Sequence, residues 1–565
     1  MNSLQKILTE SINEAGFSNV NNLLITQPNE EFGDFSTNVS LQLAKDCEMS
    51  PHQIADRIVN SLKTKKGIAT AEVAGPGFIN IRVSDEWLDD QLHIPRLVEK
   101  FLTDHKFIIE YSSPNIAKPM HVGHLRTTIL GQSLVNLYRI LGADVCAWSH
   151  PGDWGVQFGK LIVGWQKWGD KSALEKNPID ELLRVYVKFH AEAKDNPELD
   201  EDGKAMFRAL LDGDKEAVKL WKEFTVYSQK EFDETYKRLK VQFDIWRGES
   251  EYNNKLQKLV DDALEKEAAK LSDGAVIISL DDENLPPYLI RKSDGATLYA
   301  TAEMVSVEER TSHFYPEEII CVVGNEQTLH MQQSFAAAKK LAKAGVYGKD
   351  FQLPKLTHVS YGFFRLSTGK MSTRQGELIR LNDVLDQAVN SAKKLLNEKN
   401  KDLNQANIDN LAEEMGVAAV KYTDLVHDRH TDVVFDWERM FALDGNSIVY
   451  MFYTNARCNS LLAKTAETSD ESDDATAWTI NERKVVLHSL ELNNAIEKCV
   501  TNYDPHFLLE HCYELASAFS RFYNSDKIIK VNAHVKERRL KIVKLVQGQL
   551  KIMFDVLGII PPEKL

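Results

Sequence analysis

Apolar residues recur at helical spacing over residues 4–15 and 38–46, and a polar loop over 27–35 separates the two stretches. Gly75-Pro76-Gly77 predicts a turn, and Phe78-Ile79-Asn80-Ile81-Arg82-Val83 alternates as a half-buried strand does. Residues 1–103 thus predict a small α+β domain. Beyond Asp104 the pattern changes. Residues 106–111 form an apolar run around Phe107, Ile108 and Ile109, which reads as a buried strand. A Ser-Ser-Pro-Asn loop leads into helical spacing over 121–141, Gly142 is placed to stop that helix, and 145–148 reads as a second strand. Strand, loop, helix, strand is a βαβ unit and predicts a parallel sheet.

The stretch 164–244 is helical and charged, with a hinge at 194–203 rich in Asn, Pro, Asp and Glu. It reads as a helical insertion, about 165–250, in an α/β domain spanning 104–385. Strand pattern returns at 275–280 and 318–323. From 385 onward helix dominates, which predicts a helical connecting region over 386–445 and an all-α domain over 446–565.

Composition changes the picture in two places. The 565 residues include 68 Lys+Arg and 83 Asp+Glu, a net charge of −15 that argues against a generic DNA coater or a polybasic membrane binder. The segment 526–551 departs from that average, with eight Lys/Arg against two acids, a local +6. The acidic run 467–474 reads as a solvated loop. The six cysteines are widely spaced and form no C-x-x-C pair, so neither a zinc knuckle nor a disulfide framework is expected. The N-terminus has no signal-peptide apolar core, and no apolar run approaches the ~18 residues of a membrane span. The expectation is a reduced, cytoplasmic, multidomain protein. No exposed heptad or obvious dimer face is evident, which predicts a monomer.

Two constellations carry candidate chemistry. His121-Val122-Gly123-His124 stands where a buried strand has ended and a helix begins. Backbone N–H groups and the helix dipole favour anions there, two imidazoles add donors, and Gly123 admits a flat ligand. Taken alone, the same residues also suit a simple helix cap. Gly369-Lys370-Met371-Ser372-Thr373-Arg374-Gln375-Gly376 combines two cations, two hydroxyls and flanking glycines, a composition that can close over phosphates or form an exposed basic turn.

Together, the His-x-Gly-His after the first strand of a parallel sheet and the later Lys-Met-Ser resemble the two signatures of class I aminoacyl-tRNA synthetases. The run from Glu110 through Ser113, Pro114, Asn115, Lys118 and His121 to Arg126 narrows the resemblance to the arginyl-tRNA synthetase family, as does Gly152-Asp153-Trp154-Gly155. Gly33-Asp34-Phe35 with 75–80 resembles that family's accessory domain, and Tyr453-Thr454-Asn455-Ala456-Arg457 with 558–565 its helical anticodon-binding domain.

The resemblance implies a Rossmann-type parallel-sheet catalytic domain that joins L-arginine to tRNA(Arg) through an arginyl-adenylate, using ATP with Mg2+ and no protein-held metal. It implies ATP contacts from His121, Gly123, His124, Lys370, Met371, Ser372 and Thr373, with His121, His124, Lys370 and Ser372 catalytic. Thr373 stands where most of the class has a second lysine, and Lys118 is the cation expected to substitute; otherwise Lys118 is a solvated loop residue. The resemblance places Glu110, Ser113, Asn115, His124, Tyr299, Glu303 and Gln327 around the arginine. Glu303 stands where the family usually has Asp, which puts the detailed arginine geometry in question.

For tRNA, the resemblance points to Phe78 and Asn80 on the accessory domain. The basic segment containing Arg538 and Arg539, together with Arg457, offers phosphate contacts. Tyr450, Phe452 and Tyr453 can stack on unpaired bases or pack as core. A synthetase for another amino acid, a non-catalytic tRNA-binding paralogue and a small nucleotidylyltransferase are the competing readings. The intact histidine and lysine motifs oppose the paralogue, and the helical C-terminal region opposes the nucleotidylyltransferase.

Overall fold

The computed structural model describes residues 2–18, 23–93, 98–366, 379–399, 404–464 and 477–563. At its centre lies a five-stranded, all-parallel sheet in the order Lys355–Tyr361, Glu318–Gly324, Lys106–Glu110, Asp144–Ser149, Ile245–Trp246. The chain starts on the middle strand, runs out to one edge and then returns to fill the other side. That reversal opens a crevice at the carboxyl ends of Lys106–Glu110 and Glu318–Gly324, the place where open α/β sheets bind ligands. Ile108, Ile109, Ile319 and Ile320 are fully enclosed, as an apolar run in a doubly covered sheet requires.

The helix Gly123–Ile140 follows the middle strand. It is buried on most of its faces, because it packs on the sheet and also against the helices Gln405–Leu425 and Ala533–Leu557. Gly131 permits this docking: a Cβ there would lie 2.2 Å from the Tyr111 ring. Thr127 fixes the helix start, donating from Oγ1 to the Val322 carbonyl (2.7 Å) and accepting from the Ser112 N–H (3.0 Å). One side chain thus joins the helix to both central strands.

The helices Val156–Trp168, Lys171–Lys176, Pro178–Glu192, Glu198–Leu211 and Lys215–Leu239 fill the crossover between Asp144–Ser149 and the edge strand Ile245–Trp246. The expected hinge is shorter than the composition implied. Helix resumes at Glu198, where Glu198, Asp200 and Glu201 in the first turn complement the helix dipole. A separate apolar core gathers an antiparallel sheet, Lys270–Ser272, Ala275–Ile278 and Tyr288–Arg291, with the helices Asn253–Glu265, Tyr299–Phe314 and Thr328–Lys343.

The N-terminal unit is a four-stranded antiparallel sheet packed with the helices Asn2–Glu14 and Pro51–Leu62. Ser50 and Gln53 form a capping box at the second helix, with Pro51 in its first turn. The helix expected over 38–46 is only Val39–Leu43. Asp34 ties this unit to the C-terminal helices, accepting from Arg483 at 2.6 Å and from the Val83 N–H at 2.9 Å. The C-terminal region is helical, as the apolar spacing predicted. No described helix is long and apolar enough to cross a membrane.

Candidate active site

A cavity of about 320 Å³ opens at the crevice between the two central strands. Its walls include Glu110, Ser113, His121, Gly123, His124, Gly324 and the turn Tyr361 to Phe364. The chain reaches it through a sharp reversal after Glu110. Ser112 adopts a left-handed conformation (φ 48°), and its Oγ pairs with Thr128 Oγ1 (2.5 Å) and Tyr236 Oη (3.0 Å).

The two histidines are preorganised. The N–H of His121 donates to His124 Nδ1, and the N–H of Gly123 donates to His121 Nδ1, both at 3.1 Å. A ring nitrogen that accepts carries no proton, so each neutral imidazole holds its proton on Nε2. The rings lie 4.0 Å apart, tilted by 42°. Burial, together with the neighbouring His121, pushes the His124 pKa down to about 3; burial and the Lys118 ammonium also lower that of His121. Both rings are therefore neutral near pH 7, each with an Nε2–H free to donate. Paired neutral donors suit the oxygen atoms of a polyphosphate.

Lys370, Met371, Ser372, Thr373 and Arg374 lie outside the described residues. Their flanks are placed at this cavity. The strand Phe364–Leu366 pairs in parallel with Val433–Phe435 just before the motif. On the far side, Val122 N–H donates to the Ile379 carbonyl (3.0 Å) and Leu381 N–H to the Met120 carbonyl (2.9 Å). Lys118 is near enough to act on the charge of His121. Its ammonium lies 4.8 Å from the Tyr186 ring centroid, beside a smaller cavity of about 170 Å³ shared with Asn115 and Gln157.

On the other side of Glu110, carboxylates gather. Glu110 Oε2 accepts from Arg310 (2.5 Å) and from the Cys321 thiol (3.7 Å). Burial pushes its carboxyl up, but the Arg310 guanidinium and His150 outweigh this and hold it below the usual range. Arg310 itself stacks over Trp148 at 4.9 Å. Glu303 Oε2 accepts from Tyr288 Oη (2.8 Å) and pairs with His330 Nε2 (2.9 Å), so its longer side chain is held back against strand and helix. Burial opposes charge on His330, yet the Glu303 bond and charge win and raise its pKa. Tyr299, one helical turn before Glu303, reaches His330 Nδ1 at 3.5 Å and keeps 57% of its surface exposed. Ser113 Oγ accepts the His150 N–H (3.0 Å). Asn115 and Gln327 are exposed at the ends of their turns.

Sequence reasoning missed Arg310, His330 and Glu249. Arg310 lies seven residues after Glu303 in one helix, a spacing that returns to the same face and was available as a signal. Glu249 had none beyond its place after the edge strand. Around the site, Asp153 is satisfied by Ser250 (2.9 and 2.6 Å), and Arg247 serves Glu251 (3.0 Å) and Glu309 (2.7 Å). Among the described residues Glu249 has no hydrogen-bond or ion-pair partner for its carboxylate. Burial, Asp153 and Glu303 push its pKa up to about 7. An unpaired, half-buried carboxylate beside two others attracts a cation.

The candidate tRNA contacts divide. Phe78 is 40% exposed and Asn80 half-buried, while Ile79 and Ile81 turn inward from the same strand. Arg457 is half-buried and stacks over the exposed Tyr523 at 5.1 Å. Tyr453 is half-buried. Arg538 and Arg539 correct the expectation of a free basic face. Both guanidiniums are buried on Glu482, at 3.2 and 2.9 Å, so their charge is spent inside the protein. Tyr450 is held by Ser520 (2.9 Å), and Phe452 is core.

This Rossmann-type crevice, with its paired histidines, has the architecture of a class I aminoacyl-tRNA synthetase. Residues 90–437 match the family "tRNA synthetases class I (R), catalytic domain", 451–565 match "DALR anticodon binding domain", and 2–83 match "Arginyl tRNA synthetase N terminal domain". Proteins named arginine–tRNA ligase from Fusobacterium nucleatum and Clostridioides difficile are 37% and 36% identical to this chain. The first alignment covers 94% of this chain and 93% of the relative, the second 100% and 99%. The solved arginyl-tRNA synthetase of Thermus thermophilus superposes with a TM-score of 0.80 over the whole of both chains at 21% identity, a likeness of fold. The chain belongs to the arginyl-tRNA synthetase family.

Proposed function

We propose that the protein is an arginine–tRNA ligase that activates L-arginine with ATP and transfers it to tRNA(Arg). The observation that carries this reading is the pairing of two environments on either side of Glu110. One holds neutral imidazole donors suited to phosphates, and the other holds an unpaired carboxylate suited to a guanidinium. The match to the relatives over nearly the full chain supports it.

In this reading the arginine carboxylate attacks the α-phosphorus of ATP, the bond to the β-phosphate breaks, and pyrophosphate leaves. His121 and His124 donate from Nε2 to phosphate oxygens, and Lys370 and Ser372 complete the cradle. Positioning and charge neutralisation supply the rate, with little covalent work for the protein. A ribose hydroxyl of the terminal tRNA adenosine then attacks the adenylate carbonyl, and AMP leaves. Glu249 and Glu303 receive the guanidinium, whose planar fork of donors suits two carboxylates. Glu110 Oε1, which takes no hydrogen bond from the described residues, accepts the α-ammonium.

Magnesium enters with the nucleotide. Glu110, committed to Arg310, and Glu326 are the described carboxylates lining the cavity, and magnesium is commonly held by one or two carboxylates together with substrate phosphates. We also propose a cytoplasmic monomer divided at about residues 103, 385 and 445, with tRNA lying along Phe78, Asn80, Tyr453 and Arg457.

Pyrophosphate exchange with each amino acid, with and without tRNA, tests the reading. Exchange is expected only with arginine and only with tRNA present. Exchange driven by another amino acid would overturn it.

A further inference from the structure

Arg126 lies two residues beyond His124 in the same helix and is 3% exposed. Its Nε pairs with Asp424 at 2.7 Å, and one terminal nitrogen donates to the carbonyls of Gly362 and Thr431, both at 2.8 Å. The guanidinium also lies 5.8 Å from the Tyr361 ring centroid. These contacts reach the helix Gln405–Leu425, the end of the strand Lys355–Tyr361, and the turn that leads into Val433–Phe435.

Gly362 and Thr431 stand at the root of one small ribbon. Two residues beyond each begin the parallel strands Phe364–Leu366 and Val433–Phe435. The first of these strands runs directly into the segment bearing Lys370 and Ser372. The root is tightly closed. Phe363 N–H donates to Asp432 Oδ1 (2.8 Å), and Val433 N–H to the Phe363 carbonyl (3.0 Å). A Cβ on Gly362 would lie 2.7 Å from the His430 carbonyl. The ribbon root is thus closely knit, and Arg126 ties it to the histidine helix.

We infer that Arg126, oriented by Asp424, is a positioning residue that sets the turn 361–364, a wall of the cavity, in register with His121 and His124. This rests on reading the crevice as the ATP site. Only a planar fork reaches a carboxylate and two carbonyls from one buried stem; the lysine ammonium is a single point on a flexible chain. Burial pushes the Asp424 carboxyl up to about 6, against the pull of Arg126. The pair is costly to bury, and replacing such pairs with apolar groups is often neutral for stability. Its contribution here is register.

The test is pyrophosphate exchange on the full chain with saturating tRNA, for Arg126→Lys and for the apolar double variant Arg126→Met/Asp424→Leu, which keeps the interior filled. The expected result is a rise of at least fivefold in the ATP KM and a fall of at least tenfold in kcat. The arginine KM and the tRNA Kd should stay within twofold of wild type. A folded double variant with the wild-type ATP KM would overturn the inference. So would a fall in kcat with both KM values unchanged, which is what a loss of folded fraction produces. Absence of arginine-dependent exchange in the wild type would overturn the parent reading instead, so the two failures are distinct.

Discussion

The crevice of the catalytic sheet and the basic segment 526–551 both looked cationic and anion-seeking from their sequences. In three dimensions they differ in what their polar groups are already doing. At the crevice, His121 and His124 spend their Nδ1 atoms on backbone N–H groups and keep their Nε2–H donors free, while Glu249 has no partner among the described residues. In the basic segment four of the eight cations are occupied by carboxylates: Arg538 and Arg539 on Glu482, Lys541 on Glu537, Lys551 on Asp555. A site is defined by groups that folding leaves unpaired, and a charge count cannot see that. The local +6 is a structural core with a thin basic skin.

The hardest break of this comparison is at Glu482. Glu482→Ala removes the buried carboxylate that both guanidiniums share, leaves Arg539 with Asp526 at 3.6 Å, and opens the capping box at Thr479. A loss of about 3–5 kcal/mol is expected, read by calorimetry as an early transition of the C-terminal region. An unchanged transition would mean that the arginines find water, and the contrast with the crevice would collapse.

Next in size is the crevice itself. His124→Ala removes a preorganised donor and should slow arginyl-adenylate formation by on the order of a hundredfold, with tRNA affinity unchanged in a filter-binding assay.

Glu249 sharpens the comparison through pH. Its carboxyl titrates at about 7 in the free protein and must be ionised to hold a guanidinium. Raising the pH through 7 ionises it, so the arginine KM should fall by roughly tenfold between pH 6 and pH 8, as the Henderson–Hasselbalch fractions of a single group dictate. Glu249→Gln should flatten that profile, and a profile unchanged in the variant would remove Glu249 from the pocket.

The smallest effect lies in the basic skin. Lys544 is exposed and has no ion-pair partner among the described residues. Lys544→Ala should lower the salt dependence of tRNA binding by roughly one unit of slope if it meets a phosphate. Lys551→Ala, which breaks only an exposed pair four residues apart on one helix, should cost under about 0.5 kcal/mol.

Much of the fold was legible because its elements carry one clean period each. The run at 106–110 is apolar at successive positions because both faces are covered, and Phe78 to Val83 alternates because one face is not. The short helix Val39–Leu43 and the brief break before Glu198 were misjudged in length, since end positions depend on capping and tertiary contacts more than on spacing. Glu303 shows the limit at the site. Its extra methylene was evident from the resemblance, but its solution, a carboxylate held by Tyr288 and His330, joins residues 15 and 27 positions away.

The sequence by itself determined the parallel-sheet core, the helix behind it, the position of the histidine motif at the strand–helix junction and the family. These are local: a period, a turn, a motif of adjacent residues. Only the tertiary structure decided that both imidazoles are neutral donors, that Arg310 neutralises Glu110, that Glu249 is unpaired, and that Arg538 and Arg539 face inward. Each of these follows from burial or from what the fold brings beside a charge: Arg310 is 200 residues from Glu110, and Glu482 is 56 and 57 residues from Arg538 and Arg539. A charge in water is indifferent to sequence order, but once buried it must be matched by whatever the fold brings next to it.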